Sequence, residues 1–229
     1  IQYAGEGFFR VYKREKKGIV TSSGKLLLPL SYDAIGTVKN GVVSLLTAMK
    51  FGLYHCVQRK LIKPQYEKNL TVYNPAVLTA YKNRLYGFIG WKNELISKIE
   101  FEEIRFWNDS AALVRKNNQW MIYAIASNQI LVDKIQDYRL IRDNQEGKLA
   151  IVQQERRFGV IHSKKGTIIP VSFSDIINVG SPAQPLYFTE KHIEEASIFV
   201  VIYYDSAGKM LRREIYEQDD YEKIYCSHN

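Results

Sequence analysis

Lys16-Lys17-Gly18-Ile19-Val20-Thr21 is echoed by Lys50-Phe51-Gly52-Leu53-Tyr54-His55, Leu85-Tyr86-Gly87-Phe88-Ile89-Gly90, Gln119-Trp120-Met121-Ile122-Tyr123-Ala124 and Arg157-Phe158-Gly159-Val160-Ile161-His162. The third residues of these segments stand at 18, 52, 87, 121 and 159, in steps of 34, 35, 34 and 38. Self-similarity at such a period signals a repeat architecture. With each of these anchors set to zero, position +1 holds Ile19, Leu53, Phe88, Ile122 and Val160. Position +14 holds Tyr32, Tyr66, Phe101, Ile135 and Phe173, and position +20 holds Val38, Val72, Trp107, Ile141 and Val179. Every member is apolar or aromatic in a chain that is 46% hydrophobic, so the three columns are read as a recurring core.

Each unit has the same internal order. An alternating apolar run such as Val42-Val43-Ser44-Leu45-Leu46 precedes a short polar turn, and the anchor segment follows. A second turn comes near Gly24, Asn93 or Gly166, and the next run reaches Pro29, Pro64 or Pro170, where a ladder donor is missing. Short strands at regular spacing between turn residues predict antiparallel β-structure. Units of this size must stack to bury their faces. Glycine inside a strand marks a bulge or close approach, and the expectation is that a neighbour's aromatic ring lies against the anchor backbone. Met121 replaces glycine in the fourth unit, which should therefore show a local adjustment. The fold class expected is all-β: five antiparallel repeats of about 34 residues, over 1–180, in an open twisted array. A closed propeller-like ring is the alternative, although a propeller blade usually takes roughly 40–45 residues.

These residues resemble the WG (KWG) repeat of bacterial proteins. Lys17-Gly18-Ile19-Val20, Gly24-Lys25, Pro29 and Tyr32-Asp33 follow its pattern in unit one. Gly52, Pro64 and Tyr66-Glu67 keep it in unit two, and Gly159, Gly166, Pro170 and Phe173 in unit five. Units three and four are degenerate, and no Trp-Gly pair is intact. The resemblance covers about residues 5–180. It implies a β-repeat module without catalytic residues that serves binding or scaffolding. Several such proteins are exported to the bacterial envelope, including ones similar to a plug-type subunit of the type nine secretion translocon.

Beyond Gly180-Ser181-Pro182 the period breaks. Thr189 to Ser197 reads as a short capped helix, Ile198 to Tyr204 as a strong strand, Asp205 to Lys209 as a turn and Leu211 to Tyr216 as the returning strand. Glu217 to Tyr225 is acidic and could form a last helix. Residues 181–229 are expected to be a small α+β cap on the array, with a separate interaction domain as the other reading.

Candidate chemistry is sparse. His55 and His162 both fall at +3 and read as polar residues at a turn, and no His/Cys spacing suits a metal. Neither Cys56 nor Cys226 has the setting of a nucleophile, although the two could pair in an oxidising compartment. The acidic pairs Glu102-Glu103 and Asp219-Asp220 read as surface charge. No phosphate loop or nucleophile elbow is present, so neither a cofactor nor an enzymatic activity is expected. No run of 18 apolar residues occurs, so no membrane-spanning helix is expected.

Charge is more informative. The chain carries 32 Lys+Arg against 24 Asp+Glu, a net +8 that favours acidic partners. Ten of the 25 positions from −5 to −1 are basic, namely Lys13, Arg14, Lys16, Lys17, Lys50, Lys82, Arg84, Lys116, Arg156 and Arg157. Equivalent turns of stacked units share one rim, so the expected site is a basic docking edge. Hydrophilic turns and edge protection are the plainer explanation. The expected function is a protein-interaction subunit or accessory of a bacterial envelope complex, docking on a protein partner with an acidic surface. Binding of an anionic polymer, nucleic acid or glycan, is the alternative, and the alignment of aromatics with core columns makes nucleic acid the weaker partner. The chain opens at Ile1 rather than Met, which reads as a processed or trimmed end. A periplasmic or envelope location is expected, with a cytoplasmic one as the alternative.

Overall fold

A computed structural model describes the backbone of residues 1–226 and side chains as far as Ile224. The chain is all-β, in six antiparallel sheets. Strands β1 to β4 (Gln2–Gly5, Phe8–Lys13, Lys16–Thr21, Leu26–Tyr32) form the first sheet, and β5 to β8 (Ala34–Ile35, Val42–Thr47, Lys50–His55, Lys60–Tyr66) the second. The third has only β9 to β11 (Thr71–Asn74, Val77–Lys82, Leu85–Gly90), with single bridges Tyr86–Phe101 and Ile89–Leu95 in place of a fourth strand. β12 to β15 (Glu103–Phe106, Ala111–Lys116, Gln119–Ala124, Gln129–Ile135) make the fourth, and β16 to β19 (Asp137–Asn144, Gly147–Gln154, Arg157–His162, Gly166–Phe173) the fifth. β20 to β23 (Asp175–Asn178, Tyr187–Ile193, Ile198–Tyr204, Met210–Glu217) make the sixth. Strand order within every sheet follows the chain, the outcome when successive strands are joined by short hairpins.

The chain divides into two compact units, one of Ile1–Asn118 with Tyr123–Ile130, the other of Gln119–Ile122 with the residues from Leu131 onward. In the first unit, Ile19 and Leu28 of one sheet pack with Val43, Leu45 and Tyr54 of the next, and Leu53 and Ile62 of that sheet pack with Leu78 and Ile89 of the third. In the second unit Leu149, Val160 and Phe173 pack with Ile176 and Tyr187. Within each unit the core therefore lies at the junction of successive sheets, as stacked repeats require. All members of the +1 and +14 columns are buried. The +20 column is mixed: Val38 and Trp107 are buried, but Val72 and Val179 are 39% and 54% exposed.

The anchor glycines answer to backbone rather than to an aromatic ring. In β3, Lys17 pairs with Tyr32 and Ile19 with Leu28, so residues 29–31 face Gly18 alone. Residues 63–65 face Gly52 in the same way, and residues 170–172 face Gly159. Each bulge contains the unit's proline, which cannot donate to the ladder. A methyl group on Gly18 would stand 2.6 Å from the Leu28 carbonyl, and one on Gly52 2.4 Å from that of Ile62. In the fourth unit, which has Met121 at the anchor, Lys134 of β15 takes φ 48, whereas Ser31, Gln65, Glu100 and Ser172 at the same +13 position have no positive φ.

The C-terminal region differs from its sequence reading. Residues 187–193 are strand β21, followed by a single 3-10 turn at Glu194–Ala196, where a helix over 189–197 was expected. Thr189 is fully buried and donates its hydroxyl to the Ile202 carbonyl at 2.9 Å, so pairing within the sheet overrides the local helix preference of Glu-Lys-His-Ile-Glu-Glu. The sixth sheet begins at Asp175, so the expected boundary at 180/181 falls between its first two strands. The hairpin of β22 and β23 stands as read, followed by the short helix α1 (Gln218–Tyr221). No helix of the described residues is long and apolar enough to cross a membrane.

Candidate functional site

The basic positions cluster because one hairpin recurs. The turns joining β2 to β3, β6 to β7, β10 to β11 and β17 to β18 place Arg14-Glu15, Ala48-Met49, Asn83-Arg84 and Glu155-Arg156 at positive φ, as do Asn117-Asn118 after β13. Two consecutive left-handed residues give the type I′ turn whose twist suits a two-residue hairpin. Lys13, Lys82 and Lys116 end the strand before such a turn, Lys16, Lys17, Lys50 and Arg157 begin the strand after it, and Arg14, Arg84 and Arg156 lie within it.

Position +15, directly after the buried +14 column, holds the tips together. Its residues are Asp33, Glu67, Glu102, Gln136 and Ser174, every one a hydrogen-bond acceptor. Each donates its backbone N–H to a carbonyl in the following sheet, those of Leu46, Tyr81, Arg115, Gln153 and Glu190 in turn, at 2.7–3.0 Å. Each side chain also accepts from the following sheet. Asp33 Oδ2 takes the Ala48 N–H at 2.8 Å, and Glu67 takes those of Asn83 and Arg84. Glu102 takes Asn118 at 3.3 Å, Gln136 takes Arg156 at 3.4 Å, and Ser174 takes His192 at 3.0 Å. The Tyr-Asp signature is thus a clamp: the aromatic fills the junction while the acidic neighbour seats the next turn.

The same column binds many of the basic residues. Lys16 Nζ lies 2.5 Å from Asp33 Oδ1, and Lys17 donates to the Asp33 carbonyl at 2.8 Å. Lys50 approaches Glu67 at 3.6 Å and Arg157 donates to Ser174 Oγ at 3.1 Å, while Lys116 pairs at 2.9 Å with Glu100, two residues before the column. The Lys16 hydrogen bond, then the Ala48 N–H, hold the Asp33 carboxyl below its ordinary range. The turn N–H of Asn83 leads the same effect at Glu67. Lys13, Arg14, Lys82, Arg84 and Arg156 are exposed, and among the described residues none is in an ion pair. In the first unit Asp33 links the first tip to the second and Glu67 the second to the third, so Lys13 and Arg14 belong to the same row as Lys82 and Arg84. Arg156 and Arg157 occupy the equivalent tip in the second unit.

The remaining candidates take structural places. His55 Nδ1 accepts the Gln58 N–H at 3.4 Å, and His162 Nδ1 accepts Lys164 and Lys165 at 3.0 and 3.3 Å, as Thr21 Oγ1 accepts Lys25 at 3.1 Å. Position +3 therefore caps the second turn of these units. Burial lowers the pKa of both histidines. Cys56 is buried and its thiol pushed up to about 11, chiefly by burial, while the side chain of Cys226 lies outside the described residues. No three His, Cys, Asp or Glu side chains among the described residues converge as metal ligands would. A cavity of about 570 Å³ opens between the second and third sheets, floored by Leu53, Leu70 and Trp91, with His55 5.3 Å from the Trp91 ring.

Residues 86–120 match the WG containing repeat family. The WG segment runs from Tyr86, beside the third anchor, to Trp120, beside the fourth, and so spans one full period. No curated protein matches the chain. Similar solved structures include a eukaryotic initiation factor, at 11% identity over 90% of this chain and 73% of that one, with a TM-score of 0.39. Hsv2 of Kluyvelomyces marxianus shares 11% identity over 90% and 70%, with a TM-score of 0.37. The extracellular domain of BT4673 from B. thetaiotaomicron shares 7% over 92% and 34%, with a TM-score of 0.32.

Proposed function

We propose that this WG-repeat chain is a non-enzymatic interaction module that docks on an acidic surface of a protein partner through its hairpin tips. The observation that carries the reading is the row in the first unit, where hairpin tips linked through Asp33 and Glu67 present Lys13, Arg14, Lys82 and Arg84 to solvent without ion partners among the described residues. Charges arranged on a rigid row steer encounter and fix orientation more than they add affinity. By family resemblance, the partner belongs to a bacterial envelope secretion complex and the chain works in the periplasm. A plug-type subunit of the type nine secretion translocon is the most specific form of this proposal.

The test is a mild-detergent pulldown from the native cells at low and moderate salt, with co-purifying chains identified by mass spectrometry. A variant carrying Lys13→Glu, Arg14→Glu, Lys82→Glu and Arg84→Glu is run beside the native chain, with its melting curve as a folding control. The expected result is a stoichiometric envelope partner that the variant loses. Recovery of the chain alone, recovery with nucleic acid that salt removes, or a partner retained by the folded variant would overturn the reading.

A further inference from the structure

One link is missing from a column that ties the sheets of the first unit together at the end away from the hairpin tips. Glu6, Asn40 and Asn74 stand 34 residues apart, where β2, β6 and β10 set out towards those tips. Glu6 takes the N–H groups of Asn40 and Gly41 at 2.7 and 2.8 Å, joining the first sheet to the second. Asn74 Nδ2 donates to the Asp109 carbonyl at 2.7 Å, joining the third to the fourth. Among the described residues the Asn40 side chain makes no such bond to the third sheet, and the cavity of about 570 Å³ opens there. Its volume is that of a small-molecule site, roughly 300–1,000 Å³.

The cavity has two kinds of wall. Leu53, Leu70 and Trp91 give an apolar floor continuous with the core, and the Trp91 indole N–H is already taken by the Pro75 carbonyl at 3.1 Å. The second sheet adds a basic row, in which Lys39 bridges to Val42, Val42 pairs with His55 and His55 with Lys60. Residues directly opposite across antiparallel strands share a face, and Lys39 and His55 of this row line the cavity. His55 Nδ1 accepts the Gln58 N–H, which leaves the ring proton on Nε2 as a donor. Among the described residues no Asp or Glu lines the cavity, and neither Lys39 nor Lys60 is in an ion pair. The side chains of Asn40, Gln58 and Thr71, also in the lining, have no hydrogen-bond partner among those residues. A neutral apolar ligand would leave Lys39 unmatched, and a cation would be repelled by it. The geometry points to this cavity as a binding site for a small amphipathic carboxylate, its apolar body on Leu70 and Trp91 and its carboxylate between Lys39 and His55, bridging the link that Asn40 leaves open.

Phenylbutyrate is the probe, with phenylbutyramide and phenylbutylamine as its neutral and cationic counterparts. At the efficiency usual for ligands of this size, calorimetry on the whole chain should give a Kd of about 0.1–1 mM for the acid. The amide should bind about fivefold more weakly, the worth of one exposed ion pair, and the amine more weakly still. In NMR spectra the His55 ring and the Trp91 indole N–H should shift on saturation, while the indoles of Trp107 and Trp120 stay in place. Lys39→Gln should bring the acid to the affinity of the amide. Thr71→Trp, at an exposed position of the lining, should fill the cavity and abolish binding of all three compounds. Unchanged melting curves confirm that both variants are folded. No binding of the acid below about 10 mM, an amine that binds as well as the acid, an acid preference that Lys39→Gln leaves intact, or binding undiminished in Thr71→Trp would overturn the proposal. The cavity lies at the opposite end of β6 and β10 from the hairpin tips, so the variant with four reversed tip charges should bind the probe as the native chain does. The two readings can therefore fail independently.

Discussion

Replacing Gly52 with alanine tests whether the repeat glycine exists for the bulge opposite it. The added methyl would meet the Ile62 carbonyl oxygen at 2.4 Å, the Pro64 nitrogen at 2.7 Å and the Lys63 carbonyl carbon at 2.9 Å. All three are backbone atoms, so no rotamer change relieves the clash. Reaching ordinary contact distance requires the two strands to part by about 1 Å, which forfeits a quarter to a half of the local dispersion energy. The bulge lies between two ladder pairs, Phe51–Tyr66 and Leu53–Ile62, and both Ile62 and Tyr66 are core residues. Overpacking a well-filled site costs about 1–3 kcal/mol, and a clash of backbone on backbone belongs at the upper end. Alanine recovers about 0.4–1 kcal/mol through a less flexible unfolded chain, which leaves a net loss of about 2 kcal/mol. For a chain of this length that is a drop of roughly 4–8 °C in melting temperature. Gly90→Ala is the control: its methyl meets the Glu94 carboxylate, the far end of a flexible side chain that can swing away, giving up only an exposed hydrogen bond from the Lys92 N–H. Calorimetry of both variants decides the matter. Equal melting temperatures for Gly52→Ala and Gly90→Ala would refute the bulge as the reason for the glycine.

Other consequences are open to direct measurement. Ala48 and Met49 both sit at positive φ, with Met49 82% exposed, so Ala48→Asn with Met49→Gly should raise stability by about 1–2 kcal/mol in urea unfolding; no gain would deny the I′ turn there. Asp33 and Glu67 have lowered folded pKa values, so the stability they contribute is complete above the unfolded carboxylate range and disappears as pH falls through the folded values. The urea midpoint should therefore fall with acidification, and less steeply in Asp33→Asn with Glu67→Gln. His162 is also lowered, chiefly by burial, so its NMR titration should have a midpoint below about 6.5, and the stability due to its neutral form should be lost as pH drops beneath that value. A midpoint at or above 6.5 would show that the ring is not buried as described.

The parts of this fold legible in the sequence are those where one residue type answers one local demand. Buried columns repeat because every junction between sheets needs an apolar side chain at the same place, so Ile19 and Tyr32 announce their counterparts 34 residues on. The glycine and the proline are legible as a pair without their shared cause, because a three-against-one bulge appears only when the strand register is known. The sixth sheet escapes notice because its members lack the repeat's markers. Its second hairpin turns through Glu194 to Ser197 instead of a two-residue I′ turn, and its last strand has no proline. A helix-prone Glu-Lys-His-Ile-Glu-Glu stretch then hides a strand that only its two neighbours specify.

The basic residues show the limit from the other side. Their clustering is plain in the sequence, but their division of labour is not, because Lys16 and Lys13 look alike until Asp33 is seen to hold one of them. A visible signal lay one position after a column that reveals the core: Asp33, Glu67, Glu102, Gln136 and Ser174 share no charge and no size, only the capacity to accept a hydrogen bond. Reading that column as acceptors rather than as acids predicts a clamp in every unit, and leaves the exposed tip cations as the part of the repeat that its own stability does not explain.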